Sequence, residues 1–198
     1  MIRSGPANFF IYIGDEGVIC IDSGYSKNKA MRELRKAELD ADSVTHLFLT
    51  HSDIDHTGGI NLFKNAELFL PEDEEQMTTR KKARLFGFIY NPKIKRDYDL
   101  IRDGDEIKVG LTRILAISTP GHTPGSMSYL INESFLFVGD TMKLLDKKAY
   151  ILRKYINTDT TQAKESVRKL ARLENIELAC TSHTGYTMEY DKAMSDWR

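Results

Sequence analysis

The sequence predicts an α/β domain, and three observations carry that reading. Short apolar, β-branched runs close in Gly, Pro or Asp turns; two stretches, Lys27 to Glu38 and about Thr160 to Leu173, have helical spacing; and groups of His and Asp each follow one of the apolar runs. With 198 residues and 41% hydrophobic content, the chain buries its core as a single domain, residues 1–198.

In chain order, Asn8 to Ile13 and Gly17 to Ile21 read as two strands joined by the Gly14-Asp15-Glu16-Gly17 turn, an antiparallel hairpin ended by Asp22. Asp22 has an ordinary role available, capping the following turn through its backbone. Lys27 to Glu38 is an amphipathic helix with Met31 and Leu34 inward. Val44 to Leu49 is a buried strand, Gly59 to Phe63 a short helix, and Glu67 to Leu70 a strand ending at Pro71. Glu72 to Arg84 is acidic first and basic afterwards; its Arg80, Lys81, Lys82 and Arg84 read as the wet face of a helix. Beyond the Asp103–Glu106 turn, Ile107 to Val109 and Thr112 to Ser118 are strands. Ser128 to Ile131 and Phe135 to Val138 pair about Asn132-Glu133-Ser134. Thr158 or Asp159 caps the second long helix, Glu177 to Thr181 is the last strand, and Met188 to Trp197 a final short helix.

The chemistry gathers in Thr50-His51-Ser52-Asp53-Ile54-Asp55-His56-Thr57-Gly58-Gly59, which places four metal-ligating side chains, His51, Asp53, Asp55 and His56, within six residues of a strand end. Alternate side chains of an extended segment share a face, so one loop serves two adjacent cations. Three further candidates, His122, Asp140 and His183, each follow an apolar run and open into a Gly or Pro turn. A lone His or Asp in a loop is usually a solvated turn residue; four of the chain's five histidines in such places are not explained that way. The fifth, His46, lies inside a strand and reads as a packed side chain. Lys143 and Tyr186 lie near the motifs but have ordinary surface roles available.

The order His-x-Asp-x-Asp-His, Thr-Pro-Gly-His-Thr-Pro-Gly-Ser, Gly-Asp and Ser-His resembles the metallo-β-lactamase superfamily, including its glyoxalase II-like members, and Asp22-Ser23-Gly24 resembles that family's Asp-Thr-Gly turn. The resemblance implies a four-layer αββα sandwich of two mixed sheets flanked by helices. It implies two divalent metal ions: His51, Asp53 and His122 hold the first, Asp55, His56 and His183 the second, and Asp140 bridges them, with Asp55 also assigned to catalysis. It makes Asp22 a buried support for the metal loop, and residues 72–102 a lid at the active-site mouth. The usual second residue of the first motif is His, where this chain has Asp53. Imidazole and carboxylate suit zinc, iron and manganese alike; the extra carboxylate moves the expectation toward iron or manganese, or leaves a centre with one ion because Asp is shorter than His.

A binuclear centre of this kind holds ions ~3.5–4 Å apart and activates a hydroxide, so the expected function is a metal-dependent hydrolase of ester-type bonds, thioester or lactone among them, acting on a small-molecule substrate. Glyoxalase II has an added helical region, whereas this chain ends 15 residues after His183, which makes the glutathione ester a doubtful substrate. The alternative is a diiron redox module resembling the flavodiiron oxygen or nitric-oxide reductase core, which has an acidic residue at the position of Asp53 and needs a separate electron donor. A net charge of −1 and a pI near 6.5 argue against nucleic acid as partner. The first residues carry no secretory pattern and no stretch approaches the roughly 20 apolar residues of a membrane span. A cytoplasmic location, with Cys20 and Cys180 buried and reduced, is the expectation. The oligomeric state is left open.

Overall fold

A computed structural model describes residues 1–198. Strands β1 (Ile2–Arg3), β2 (Asn8–Ile13), β3 (Val18–Ile21), β4 (Val44–Phe48), β5 (Glu67–Pro71) and β6 (Asp99–Ile101) form one sheet in that spatial order. The second sheet is built from β7 (Glu106–Val109), β8 (Thr112–Ser118), β9 (Met127–Ile131), β10 (Phe135–Phe137), β13 (Leu178–Thr181) and β14 (Gly185–Thr187), in spatial order β14-β13-β10-β9-β8-β7. A separate hairpin pairs β11 (Lys143–Leu145) with β12 (Lys148–Tyr150). Both large sheets are mixed: β3, β4, β5 and β6 run parallel and β1 to β3 antiparallel in the first, while β10 and β13 form the parallel pair of the second. The helices are α1 (Lys27–Lys36), α2 (Ile54–Thr57), α3 (Glu75–Thr78), α4 (Thr160–Ala171) and α5 (Tyr190–Ala193).

The layering follows from strand alternation, since successive side chains leave opposite faces of a sheet. Phe10, Ile19, Ile21, Phe48 and Phe69 face the second sheet and meet Ile114, Ala116, Tyr129, Ile131 and Phe137 in a core between the sheets. Their neighbours Phe9, Cys20, Leu47, Leu49, Leu68 and Leu70 face the other way and pack with Ala30 and Leu34 of α1. On the far side Leu130, Leu136 and Ala179 pack with Val167 and Leu170 of α4. Three apolar layers between helix, sheet, sheet and helix make the αββα sandwich, and burial on both faces explains why these strands read as continuous apolar runs.

The helices end where local chemistry stops them. Asp159 caps α4, accepting from the backbone N–H of Thr161 and Gln162 at 2.8 and 2.9 Å. Several elements differ from the sequence expectation. Residues 72–84 form no continuous helix: a 3₁₀ turn (Glu72–Glu74) runs into the four-residue α3, and the chain then turns at Arg80. Arg80, Lys81 and Lys82 are exposed, but Arg84 is 5% exposed and points inward, so the wet-face reading fails for that residue. Strands β1, β6, β11, β12 and β14 are two or three residues long, too short to show a period in sequence. Cys20 and Cys180 are buried and unpaired, and no helix is long and apolar enough to cross a membrane.

Candidate metal centre

Strands β8 and β10 both run antiparallel to β9, and β13 runs parallel to β10, so the three share a direction and end at the same edge of the second sheet. Beyond those ends lie His122, Asp140 and His183. The loop after β4 is held against the same edge: Met127 N–H donates to the Thr50 carbonyl at 2.9 Å, and the buried Tyr129 hydroxyl donates to the Leu49 carbonyl at 2.7 Å. That loop carries His51 and then Asp53, whose backbone is extended, and α2 brings Asp55 and His56 round. Two glycines permit the crowding. A Cβ on Gly58 would lie 1.9 Å from the Tyr25 carbonyl oxygen, and one on Gly139, whose φ is 56°, 2.7 Å from the Thr50 side chain.

All seven candidate ligands converge. Asp140 Oδ2 lies 3.4 Å from His122 Nε2 and 3.1 Å from His183 Nε2, and Asp140 Oδ1 lies 3.6 Å from His56 Nε2, the central place expected of a bridging group. Asp55 Oδ2 is 3.8 Å from His56 Nε2 and 3.6 Å from His183 Nε2. Asp53 Oδ2 is 3.7 Å from His51 Nε2 and 3.2 Å from His122 Nε2. His46 stands apart, stacked on Phe69 with Nδ1 against Thr45, as a packed histidine does.

Each imidazole is fixed from behind. His183 Nδ1 donates to the Pro6 carbonyl at 2.9 Å and His56 Nδ1 to Asp22 Oδ2 at 2.8 Å. The Thr50 hydroxyl spends its one proton on Asp22, at 2.8 Å, and therefore accepts from His51 Nδ1 at 3.0 Å; Asn157 Oδ1 stands 3.3 Å from His122 Nδ1. With Nδ1 as the donor, each ring turns Nε2 to the centre, where it presents a lone pair once that nitrogen has no proton, which is the arrangement metal-ligating histidines use. The buried atoms His51 Nε2, His56 Nε2 and Asp140 Oδ1 have no hydrogen-bond partner. Buried polar atoms without partners are costly, and here they face one another across the donor cluster, in which the groups His51–His56–Asp140 and Asp55–His56–His183 each bring three ligand atoms close enough to fit a divalent cation.

The rings differ in charge. Burial disfavours charge on His56, yet the carboxylates of Asp22 and Asp140 outweigh it and push its pKa up to about 10. Burial likewise opposes ionisation of Asp140, but the surrounding histidines hold its carboxyl well below the usual range. His51 is driven the other way, mainly by burial and then by the charge of His56, and stays neutral.

Three residues complete the site. Asp22, in the left-handed region at φ 60°, closes no turn of its own: it accepts from the Thr50 N–H and hydroxyl and from His56, the support role implied by the resemblance. Glu74, wholly buried, accepts from Ser52 N–H and hydroxyl (2.9 and 2.6 Å), the Thr123 hydroxyl (2.7 Å) and Gly125 N–H (3.2 Å), tying the His51 and His122 loops together. Arg84 enters the centre itself. Its Nε donates to both Asp53 oxygens at 2.7 and 2.9 Å, and its Nη2 lies 2.9 Å from His122 Nε2 and donates to the Ile156 carbonyl at 2.9 Å. Sequence reasoning missed Glu74 and Arg84 because each sits in a run of like charges whose other members are solvated; nothing local separates them.

A sandwich of this topology with a His/Asp centre at the strand ends defines a class of metal-binding proteins, and the family model described as the metallo-beta-lactamase superfamily matches residues 2–183. The chain belongs to that superfamily. It is 28% identical over 138 residues to a hydroxyacylglutathione hydrolase of Buchnera aphidicola subsp. Schizaphis graminum, covering 68% of this chain and 46% of that protein. It is 25% identical over 146 residues to the probable metallo-hydrolase YqgX of Bacillus subtilis, covering 70% and 68%. The chain thus spans about half the length of the Buchnera relative. Among solved structures, the BLEG-1 B3 metallo-beta-lactamase superposes with a TM-score of 0.74 at 22% identity, covering 96% of this chain and 94% of that one, a likeness of fold.

Proposed function

We propose that this protein is a hydrolase dependent on a divalent cation, acting on an ester-type bond, thioester or lactone among them, of a small-molecule substrate. The observation that carries this reading is the cluster of inward-facing Nε2 atoms and carboxylates, each ring pinned at Nδ1, with three buried atoms left without partners. Asp55, His56, His183 and Asp140 hold the cation, with His51, Asp53 and His122 beside them. A cation bound there supplies Lewis acidity, lowering the pKa of a coordinated water toward neutrality and polarising the bond under attack. Asp55, half-buried and so open to solvent on one side, accepts the proton of the attacking water at a carboxylate oxygen. Asp22 and Thr50 keep His56 and His51 in the tautomers that binding requires.

The segment 72–102 supplies the substrate-facing surface in this reading. Its tip exposes Phe86 (75%) and Phe88 (72%) on a tight turn closed by the Leu85–Ile89 bridge, an apolar flap next to a polar centre. The names of the relatives support hydrolysis, and two unpaired buried thiols accord with the cytoplasm. The diiron redox alternative drew on Asp53 as an acidic metal ligand, but both Asp53 oxygens accept from Arg84.

The test is a panel of thioesters, lactones and phosphodiesters assayed with protein stripped by chelator and reloaded with zinc, manganese or iron(II). Turnover of an ester-type member, lost on stripping and restored on reloading, is expected, together with a lower kcat for Asp55→Asn. Full metal content with no turnover of any ester-type member sinks the proposal.

A further inference from the structure

The donor set of the first cation does not stand ready as the resemblance requires. Asp53 Oδ1 accepts from Arg84 Nε and from Asn91 Nδ2 (2.7 and 3.0 Å), and Asp53 Oδ2 accepts from Arg84 Nε (2.9 Å). The Nε2 lone pair of His122 accepts from Arg84 Nη2. Of the three first-site residues, His51 alone keeps an unpartnered ligand atom. We propose that the Arg84 guanidinium stands in the place of the first cation, so that the centre holds one divalent ion, on Asp55, His56, His183 and Asp140, beside a fixed organic charge.

Two features favour this arrangement over a side chain that has merely fallen inward. The Arg84 backbone is held by the turn that follows it: its N–H donates to the Ile89 carbonyl at 2.6 Å, and Nη2 is anchored at the Ile156 carbonyl on a distant part of the chain. A guanidinium keeps its charge at any working pH and cannot be buried cheaply without a carboxylate; Asp53, where the family's usual residue is His, provides that carboxylate.

The inference rests on the centre binding a cation, but not on hydrolysis, so its test counts ions rather than turnover. Wild-type protein equilibrated with excess Mn²⁺ and desalted is expected to retain one ion per chain by elemental analysis, with the six-line electron paramagnetic resonance spectrum of an isolated Mn²⁺. Arg84→Met frees Asp53 and His122, and is expected to raise the content toward two ions with a spin-coupled spectrum. Should Arg84→Met fail to fold, the double variant Asp53→His/Arg84→Met removes the unpaired carboxylate and serves the same purpose. Two ions with a coupled spectrum in the wild type overturn the inference, as does a folded Arg84→Met variant that still takes one. No retained ion in any form removes the cation-binding reading on which it stands, whereas one ion without turnover leaves it intact and counts only against the hydrolase.

Discussion

The two halves of the centre are built from the same kinds of residue and differ in what faces the donors. Around Asp55, His56 and His183, the inward atoms meet only each other and Asp140, and His56 is charged in the metal-free protein because two carboxylates surround it. Around His51, Asp53 and His122, a protein cation already sits on the carboxylate and on one imidazole. One half leaves His56 Nε2 and Asp140 Oδ1 buried without partners; the other is built on an ion pair, with His51 Nε2 and Arg84 Nη1 left over. Identical ligand types therefore do not make equivalent sites, because the residue that decides between them comes from a different segment.

The strongest way to break that comparison is to delete a ligand from each half. His56→Ala is expected to abolish metal retention and, by removing one of the donors to the buried Asp22 carboxylate, to destabilise the metal-free protein by about 1–3 kcal/mol. His51→Ala is expected to keep its ion. Elemental analysis and urea denaturation read both, and equal ion loss from the two variants sinks the distinction.

Next in size is pH. In the metal-free protein the His56 pKa is raised to about 10 from 6.5, so at pH 7 the ring carries a proton that binding must expel. Apparent affinity of the open half is expected to rise about tenfold per pH unit as that proton becomes easier to remove. The same shift stabilises the metal-free fold: the contribution is fully present below about pH 6.5 and is lost as pH rises through about 10. Chelator competition at pH 6.5, 7.5 and 8.5 checks the first statement; a flat profile contradicts it.

Smaller effects test the supports. Asp22→Asn removes the carboxylate behind His56 and is expected to weaken metal affinity by roughly 10–100-fold. Glu74→Gln puts an NH₂ group among four donors and is expected to cost about 1–3 kcal/mol in a thermal or urea melt, loosening both loops together. Lys81→Ala, three residues from Arg84 but solvated, is expected to change neither ion content nor stability measurably.

How much of this was legible in the sequence varies by residue. His51, Asp55, His56, His122, Asp140 and His183 stand out because each follows an apolar run and opens into a turn, and the fold brings all of them to one sheet edge. The long strands and α1 and α4 were legible for the same reason, a clear period over enough residues. The short strands β6, β11, β12 and β14 were not, since two or three residues fix no period and their pairing partners are remote. Glu74 and Arg84 were hidden among like-charged neighbours, and Asp22 had an ordinary turn role open to it until Thr50 and His56 appeared beside its oxygens.

By itself, the sequence determined the long strands, the two long helices and the candidate ligands, because strand alternation and turn chemistry are local and write themselves into residue order; the two-sheet sandwich was implied only by the family resemblance. Only the tertiary structure decided which donors are free. Whether a carboxylate such as Asp53 faces an open space or a guanidinium depends on Arg84, 31 residues along the chain, and a contact across that separation is set by packing, which no local pattern encodes.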